Sequence, residues 1–351
     1  MSGKHVLVGF SGGMDSCAAV HFLKEEGYRV TAVYLVLYEK DPGPLSKHLR
    51  QLSDRLNIPL IIEDRRAMFR KIIIESFTNS YLSGKTPNPC IWCNEHVKLK
   101  ALADLMKSRK ASLIATGHYA KKELDPDSHR WFIKRGRDRA KDQSYFLSFV
   151  SQGHLEKLLL PLGGKTKKEI RELMVSLRLP IPEGSESHEV CFLEGESYTK
   201  FISDRHHASN SAKGAFINAK GEVLGVHSGI YGFTIGQRRG IGIADKTPYY
   251  VTALYPEKNQ VQIGKVDELY KSVFYATDCR WHLPCKEKTI DVSCQIRYRH
   301  PATPAILKVL APDRVEVTFS TPQKAITPGQ IAAFYRNDRL MGAGIIEKIV
   351  S

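Results

Sequence analysis

The sequence predicts an α/β protein: an N-terminal domain on a parallel sheet, a small, mainly β central domain, and a C-terminal antiparallel β-barrel. Three observations carry this. Strand-length apolar runs alternate with amphipathic helices as far as Thr116, the pattern of a parallel sheet covered on both faces. Near residue 207 the texture changes to short strands separated by turns. From residue 274 onward, runs of Val, Ile, Thr and Phe alternate with Pro, Asp and Gly, as in a small sandwich or barrel. The expected domains are 1–206, 207–273 and 274–351, and 351 residues suffice for two or three.

Residues 5–10 read as a short buried strand. Ala18, Ala19, Phe22 and Leu23 then form one face of a helix that Gly27 stops. A strand over 30–37, a helix near 46–57, a strand over 58–62 and a helix near 65–81 continue the alternation. Thr86-Pro87-Asn88-Pro89 cannot continue a helix, so a loop is expected through Cys93, followed by a helix over 95–107. After a strand over 111–116, Gly117-His118-Tyr119 falls at its C-terminal end, where open α/β sheets place ligands. Residues 121–130 read as polar and exposed, 131–134 as a short strand, and 143–150 as a helix. Ile170, Leu173, Met174 and Leu177 mark another helix, followed by a charged loop over 180–189 and a helix over 198–206. Strands over 215–218 and 223–227 flank a turn at Lys220-Gly221.

Lys plus Arg number 52 against 37 Asp plus Glu, and the net charge of +15 predicts an anionic partner. Nucleic acid ranks ahead of a membrane, because no stretch approaches 18 apolar residues. With 42% hydrophobic and 25% charged residues, disorder and a collagen-like chain are excluded. Seven cysteines are too few, and odd in number, for a disulfide scaffold, so reduced thiols are expected. Met1-Ser2-Gly3-Lys4-His5 does not start like a signal or transit segment. The expectation is a cytoplasmic, bacterial, monomeric protein with no membrane partner.

Ser11-Gly12-Gly13-Met14-Asp15-Ser16 lies between the first strand and first helix. Two adjacent glycines let backbone approach a phosphate, Ser11 and Ser16 supply hydroxyls, and the helix start supplies unpaired N–H groups. It lacks the Gly-Lys-Ser/Thr ending of the common nucleotide loop. Asp15 suits a Mg2+ contact or an organising role in the loop. The loop resembles the pyrophosphatase-type loop (PP-loop) of enzymes that split ATP into AMP and pyrophosphate, on a domain like the adenine nucleotide alpha hydrolases. That resemblance implies that Ser11, Gly12, Gly13, Asp15 and Ser16 hold pyrophosphate, and that Gly9 meets the nucleotide through its backbone.

Cys90-Ile91-Trp92-Cys93 and the distant Cys191 are the cysteines with chemical potential. Cys93 is expected at a helix start, where the dipole lowers a thiol pKa. Cys17, Cys279, Cys285 and Cys294 read as small buried hydrophobes. Zinc lacks a second close cysteine pair, since Cys279 and Cys285 are too far apart in sequence. A [4Fe-4S] cluster on Cys90, Cys93 and Cys191 competes, because three thiolates leave one iron open to exogenous sulfur.

These segments, with Ala115-Thr116-Gly117-His118-Tyr119-Ala120, Lys141-Asp142-Gln143-Ser144-Tyr145-Phe146-Leu147, Glu189-Val190-Cys191-Phe192 and Gly236-Gln237-Arg238-Arg239-Gly240, resemble the bacterial tRNA-specific 2-thiouridylase family over essentially the whole chain. The resemblance implies ATP-dependent sulfur insertion at C2 of the wobble uridine in tRNAs for Lys, Glu and Gln, with the C2 oxygen activated as an adenylate. It implies that Cys191 carries a persulfide delivered by a sulfur-relay protein, and that Cys93 forms a disulfide with it, either releasing sulfur or resolving the enzyme. The family's usual aspartate three residues before the first catalytic cysteine is Cys90 here, which leaves that residue's proton-transfer role unfilled or taken by Cys90 itself. His188, where glutamine is frequent in relatives, is a candidate local base.

The resemblance also places Gly117, His118 and Gln143 in the adenylation pocket, with Phe146 as core or adenine-wall packing. Arg135, Arg137, Arg139 and Lys141, together with Lys165, Lys167 and Lys168, are expected on phosphates of the anticodon arm. Gln237, Arg238 and Arg239 in a glycine-flanked turn, and Arg297, Tyr298 and Arg299, extend that surface. Two other readings keep part of the sequence: a PP-loop synthetase adenylating a small molecule, which leaves the cysteines unused, and a non-catalytic tRNA-binding or sulfur-carrier protein, which leaves the phosphate loop idle.

Overall fold

The computed structural model describes residues 3–41, 43–180, 190–206 and 213–350. The N-terminal strands β1 (His5–Gly9), β2 (Arg29–Val36), β3 (Leu60–Asp64), β4 (Leu113–Ala115) and the two-residue Leu158–Leu159 form one parallel sheet, with Leu158–Leu159 beside β4 and the order running β3, β2, β1, β4. Val6, Leu7 and Val8 are fully buried. Both faces of β1 are covered, so it reads as a continuous apolar run rather than an alternating one. Helix α1 (Met14–Glu25) packs Cys17, Ala18, Ala19, Val20 and Leu23 onto one face, and α2 (Gly43–Arg55) adds Leu49 and Leu52 to the same core.

Helix formation begins earlier than expected around the cysteines. Pro89 occupies the first turn after Asn88, a position that needs no proline N–H, and a continuous helical run follows over 89–108 with a π-helical segment at Asn94–Leu99. Cys90 and Cys93 are therefore helical rather than in a loop.

Within residues 121–130, read as polar and exposed, the first four belong to β5 (Ala120–Leu124), which pairs antiparallel with β6 (Trp131–Arg135). The helix expected over 143–150 is a single 3-10 turn, Ser144–Leu147.

The central domain is a four-stranded sheet. Writing Leu158–Leu159 as β7, it contains β8 (Gly214–Ile217), β9 (Val223–His227), β10 (Tyr250–Tyr255) and β11 (Gln260–Gly264), in the order β10, β11, β8, β9. The C-terminal strands β12 (Tyr270–Trp281), β13 (Thr289–Gln295), β14 (Thr303–Ala311), β15 (Arg314–Lys324), β16 (Ile331–Arg336) and β17 (Arg339–Val350) run β12, β15, β14, β13, β16, β17, and β17 returns to pair with β12. This closes an antiparallel β-barrel, removing its free edges.

The hairpin β5–β6 belongs to this C-terminal sheet, with Arg339 of β17 opposite Lys134 of β6, and Phe132 packs within the barrel core. Arg130 adds bonds to the carbonyls of Trp281 and His282. The fold is thus α/β with an N-terminal parallel sheet, a central β domain and a C-terminal barrel. Among the described residues, no helix is long and apolar enough to cross a membrane.

Candidate active site

A cleft of about 1550 Å³ lies over the C-terminal end of the parallel sheet. Its walls include Ser11 and Gly13 of the loop after β1, Asp15 in the first turn of α1, His118 after β4, Cys90 and Lys98 of the 89–108 helix, and Cys191. The topology puts the ends of β1 and β4 side by side, so two separate turns face the same space.

At one end, Gly12 adopts φ +77°, a conformation costly for other residues, and an added Cβ would come within 2.6 Å of Leu49. Ser16 Oγ donates to the Gly13 carbonyl at 2.8 Å and ties the turn. Gly13 caps α1 without a side-chain hydrogen bond to its first turn, which leaves backbone N–H groups and the positive end of the helix dipole for an anion. Gly117 is forced by crowding: a Cβ there would lie 2.9 Å from the Asp15 carbonyl oxygen. Gly9, by contrast, has no neighbour closer than 3.6 Å to that position. These features fit the triphosphate of ATP.

Asp15 accepts hydrogen bonds from Lys167 Nζ at 2.7 and 2.9 Å and from Tyr119 OH at 2.7 Å. Gln143 holds this arrangement from behind, its side-chain oxygen accepting from Tyr119 N at 2.9 Å. Lys167, expected on RNA phosphates, is therefore turned inward and buried. Among the described residues no group of three or more His, Cys, Asp or Glu is placed to hold a metal ion. Asp15, the expected Mg2+ contact, has both carboxylate oxygens engaged by Lys167.

At the other end, Cys90 and Cys191 line the cleft, whereas Cys93 is buried behind them among Phe69, Phe77, Phe192 and Phe201. All seven cysteines are free thiols. The expected lowering of the Cys93 pKa does not occur. Cys93 lies within the helical run rather than at its start, and burial pushes its thiol up to about 12, with Lys98 pulling the other way. Burial likewise pushes Cys191 up to about 11, again opposed by Lys98. His118 is held neutral: burial, then Lys98, lowers its pKa to about 3, and its Nδ1 bonds Thr116 Oγ1 at 2.8 Å.

The segment before the cysteines is anchored from both other domains. Thr86 N donates to the Pro328 carbonyl at 3.0 Å, Gln330 Nε2 donates to the Thr86 carbonyl at 2.9 Å, and Thr86 Oγ1 meets Thr234 Oγ1 at 3.3 Å.

The remaining basic residues divide. Arg135 is clamped by Asp142 at 3.0 Å and stacks 3.8 Å from the Tyr335 ring, while Arg137 pairs with Glu169 at 2.9 Å. Arg139 pairs with Asp338, and Lys141 lines the cleft. Lys165 lies over the Phe22 ring at 4.4 Å, and Lys168 is exposed. Arg238 and Arg239 are exposed, but the Gln237 amide bonds the backbone of its own turn at Thr234, Gly232 and Arg239 rather than reaching outward. Arg297 donates to the Lys324 carbonyl, and Tyr298 packs 4.3 Å from Phe146 across the cleft wall. His188 lies outside the described residues, as does the domain boundary near 207.

Sequence reasoning missed Lys98 and Asn94. Their signal was spacing: Cys90, Asn94 and Lys98 recur every four residues, and all three reach the cleft. Asn94 also donates to the Phe146 carbonyl at 3.0 Å, joining the cysteine helix to the opposite wall.

Residues 4–195 match the family model described as the tRNA methyl transferase HUP domain, 200–265 that of the tRNA methyl transferase PRC-barrel domain, and 271–346 that of the aminomethyltransferase beta-barrel domain. The chain is 38% identical to the tRNA-specific 2-thiouridylase MnmA of Geotalea uraniireducens (strain Rf4), with 99% of this chain and 96% of that protein covered. It is 40% identical to the protein of the same name from Carboxydothermus hydrogenoformans, with 98% of both chains covered, and 39% identical to that from Moorella thermoacetica, with 98% and 99% covered.

Proposed function

The chain belongs to the tRNA-specific 2-thiouridylase family, and from this premise we propose that it replaces the C2 oxygen of the wobble uridine in tRNAs for Lys, Glu and Gln with sulfur, consuming ATP. The observation that carries the reading is the single cleft with an anion cradle at one end and the Cys90 and Cys191 sulfurs at the other.

An uncharged pyrimidine carbonyl resists a sulfur nucleophile, so its oxygen must first become a leaving group. The C2 oxygen attacks the α-phosphorus of ATP, and pyrophosphate departs into the Ser11–Ser16 turn and the N-terminus of α1. Mg2+ bound with ATP would neutralise phosphate charge. The terminal sulfur of a Cys191 persulfide then attacks C2, and AMP leaves with the oxygen. The Cys93 thiolate attacks Cys191 Sγ. The bond to the transferred sulfur breaks, its electron pair stays with the 2-thiouridine, and a Cys93–Cys191 disulfide remains for reduction by an external dithiol. The burial of Cys93 supports a resolving rather than a loading role, because a donor protein meets Cys191 first. Within this reading the protein acts as a monomer and receives sulfur from a persulfide donor.

The [4Fe-4S] reading uses the same three sulfurs. Among the described residues no group of three or more His, Cys, Asp or Glu is placed to hold a metal ion, which favours the thiol chemistry. Stoichiometric iron and acid-labile sulfide after anaerobic purification would reverse this preference.

The test combines purified protein, ATP, Mg2+, a persulfide donor and unmodified tRNA, followed by nucleoside mass analysis. 2-Thiouridine that disappears in Cys191→Ser and Cys93→Ser supports the assignment. Full sulfur transfer by Cys191→Ser overturns it.

A further inference from the structure

Gln237 is expected on RNA, yet its amide is engaged within its own turn. Its side-chain oxygen accepts from Thr234 N at 3.0 Å, and its Nε2 donates to the Arg239 carbonyl at 2.9 Å and the Gly232 carbonyl at 3.3 Å. The turn fixed in this way has two working ends. Arg238 and Arg239 are exposed at one. At the other, Thr234 and Gly232 bond to the N-terminal domain.

Each of those two bonds reaches a segment that carries sulfur. Thr234 Oγ1 meets Thr86 Oγ1 at 3.3 Å, just ahead of Cys90. Pro87 and Pro89 lie between Thr86 and Cys90, and two fixed φ angles in so short a stretch leave little slack, so the place of Thr86 sets where Cys90 enters the cleft. The Gly232 carbonyl accepts from Tyr198 OH at 3.2 Å. Tyr198 opens the helix Tyr198–His206, whose Phe201 packs 5.1 Å from Phe192, the chain neighbour of Cys191. The two segments also meet each other, because Tyr198 stacks on Tyr81 of the helix Glu75–Leu82 with ring centroids 4.6 Å apart. Gly84, between that helix and Thr86, is pressed against the central domain: an added Cβ would lie 2.6 Å from Pro256 Cγ.

We propose that Thr234 and Tyr198 are positioning residues for sulfur transfer. Through the Gly232–Arg239 turn they hold the Cys90–Cys93 helix and the Cys191 turn in register with each other, on the same turn that presents Arg238 and Arg239 to RNA. The proposal rests on the thiolation reading. Neither Thr234 nor Tyr198 lines the cleft, so both act through the segments they hold. Sulfur transfer is sensitive to such bracing, because reacting atoms displaced by a fraction of an ångström leave the geometry of attack.

The experiment uses the full-length protein with ATP, Mg2+, a persulfide donor and unmodified tRNA, following one turnover at saturating tRNA and ATP. Filter binding gives the tRNA affinity separately. Thr234→Val and Tyr198→Phe each remove one hydroxyl with little change of shape. Each is expected to slow 2-thiouridine formation from bound tRNA by about tenfold, with tRNA affinity, ATP binding and melting temperature at wild-type values. Thr234→Ser keeps the hydroxyl and should restore the wild-type rate. If Thr234→Val does not fold, Tyr198→Phe tests the same turn from the other segment. A wild-type rate in the folded variants, or a loss of tRNA affinity that accounts for the whole fall in rate, overturns the proposal while the thiolation reading stands. Wild-type protein that forms no 2-thiouridine brings down that reading, and the proposal with it.

Discussion

The Lys167 ammonium lies 2.7 Å from one Asp15 carboxylate oxygen and 2.9 Å from the other, joining residues 152 positions apart at the phosphate end of the cleft. Lys167 is buried, while the Asp15 side chain is about one-third exposed. Lys167→Met should therefore cost about 1–3 kcal/mol, less than breaking a fully buried pair. Urea denaturation measures the loss, and tRNA-dependent pyrophosphate release should fall with it.

Two glycines near the nucleotide should respond differently to one added methyl group. Gly117→Ala drives a Cβ to 2.9 Å from the Asp15 carbonyl, against backbone that cannot swing aside. About tenfold weaker ATP binding is expected, roughly 1.4 kcal/mol. Gly9→Ala meets only ordinary contacts and should bind ATP as the wild type does. Calorimetric titration with ATP compares them.

The barrel's grip on the cysteine segment is testable at Gly329. Its φ is +89°, and a Cβ would lie 3.0 Å from both Thr86 N and Lys85 Cβ. Gly329→Ala should cost about 1–2 kcal/mol in backbone strain. Because the displaced segment leads into Cys90, 2-thiouridine formation should fall more than ATP binding does. Equal losses in both would contradict the anchoring role.

Glu95 supplies a pH dependence. Burial would raise its carboxyl pKa, but the bonds from His154 at 2.9 Å and Ser151 at 3.1 Å prevail and hold it below the ordinary glutamate range. A carboxylate with a depressed folded-state pKa contributes stability above its unfolded value near 4.5, lost as pH falls through the folded value. Thermal midpoints should therefore decline below about pH 4.5 more steeply in the wild type than in Glu95→Gln.

Arg238 and Arg239 are exposed beside a turn that Gln237 ties internally. Reversing both charges should weaken tRNA binding at least tenfold in about 0.1 M salt and lower the salt slope by about 2, with ATP binding unchanged. Filter binding over a salt series reads both effects. Unchanged tRNA affinity would remove this turn from the RNA surface.

The parallel sheet and the phosphate turn were legible because their signals are local: apolar runs at Val6–Val8, a glycine pair, then a small-residue helix face. The cysteine helix was not, because Pro89 reads as a breaker although the first helical turn accepts it. Charge misled at Lys167, whose partner lies far off in sequence, and polarity misled at β5. Lys121, Lys122 and Glu123 look solvated until the strand finds β6. The pairing of Cys93 with Cys191 was named from family likeness. That Cys90, Lys98 and Cys191 line one cleft required the folded arrangement.

The hairpin β5–β6 has a consequence for how this molecule is made. During synthesis it emerges long before β17, and until that strand arrives β6 has an unfilled edge and Phe132 lacks its barrel surroundings. Fragments ending ahead of the barrel should accordingly clump rather than persist as miniature enzymes. A chain interrupted on the ribosome would lack the barrel residues Pro328 and Gln330 that hold Thr86, just ahead of Cys90.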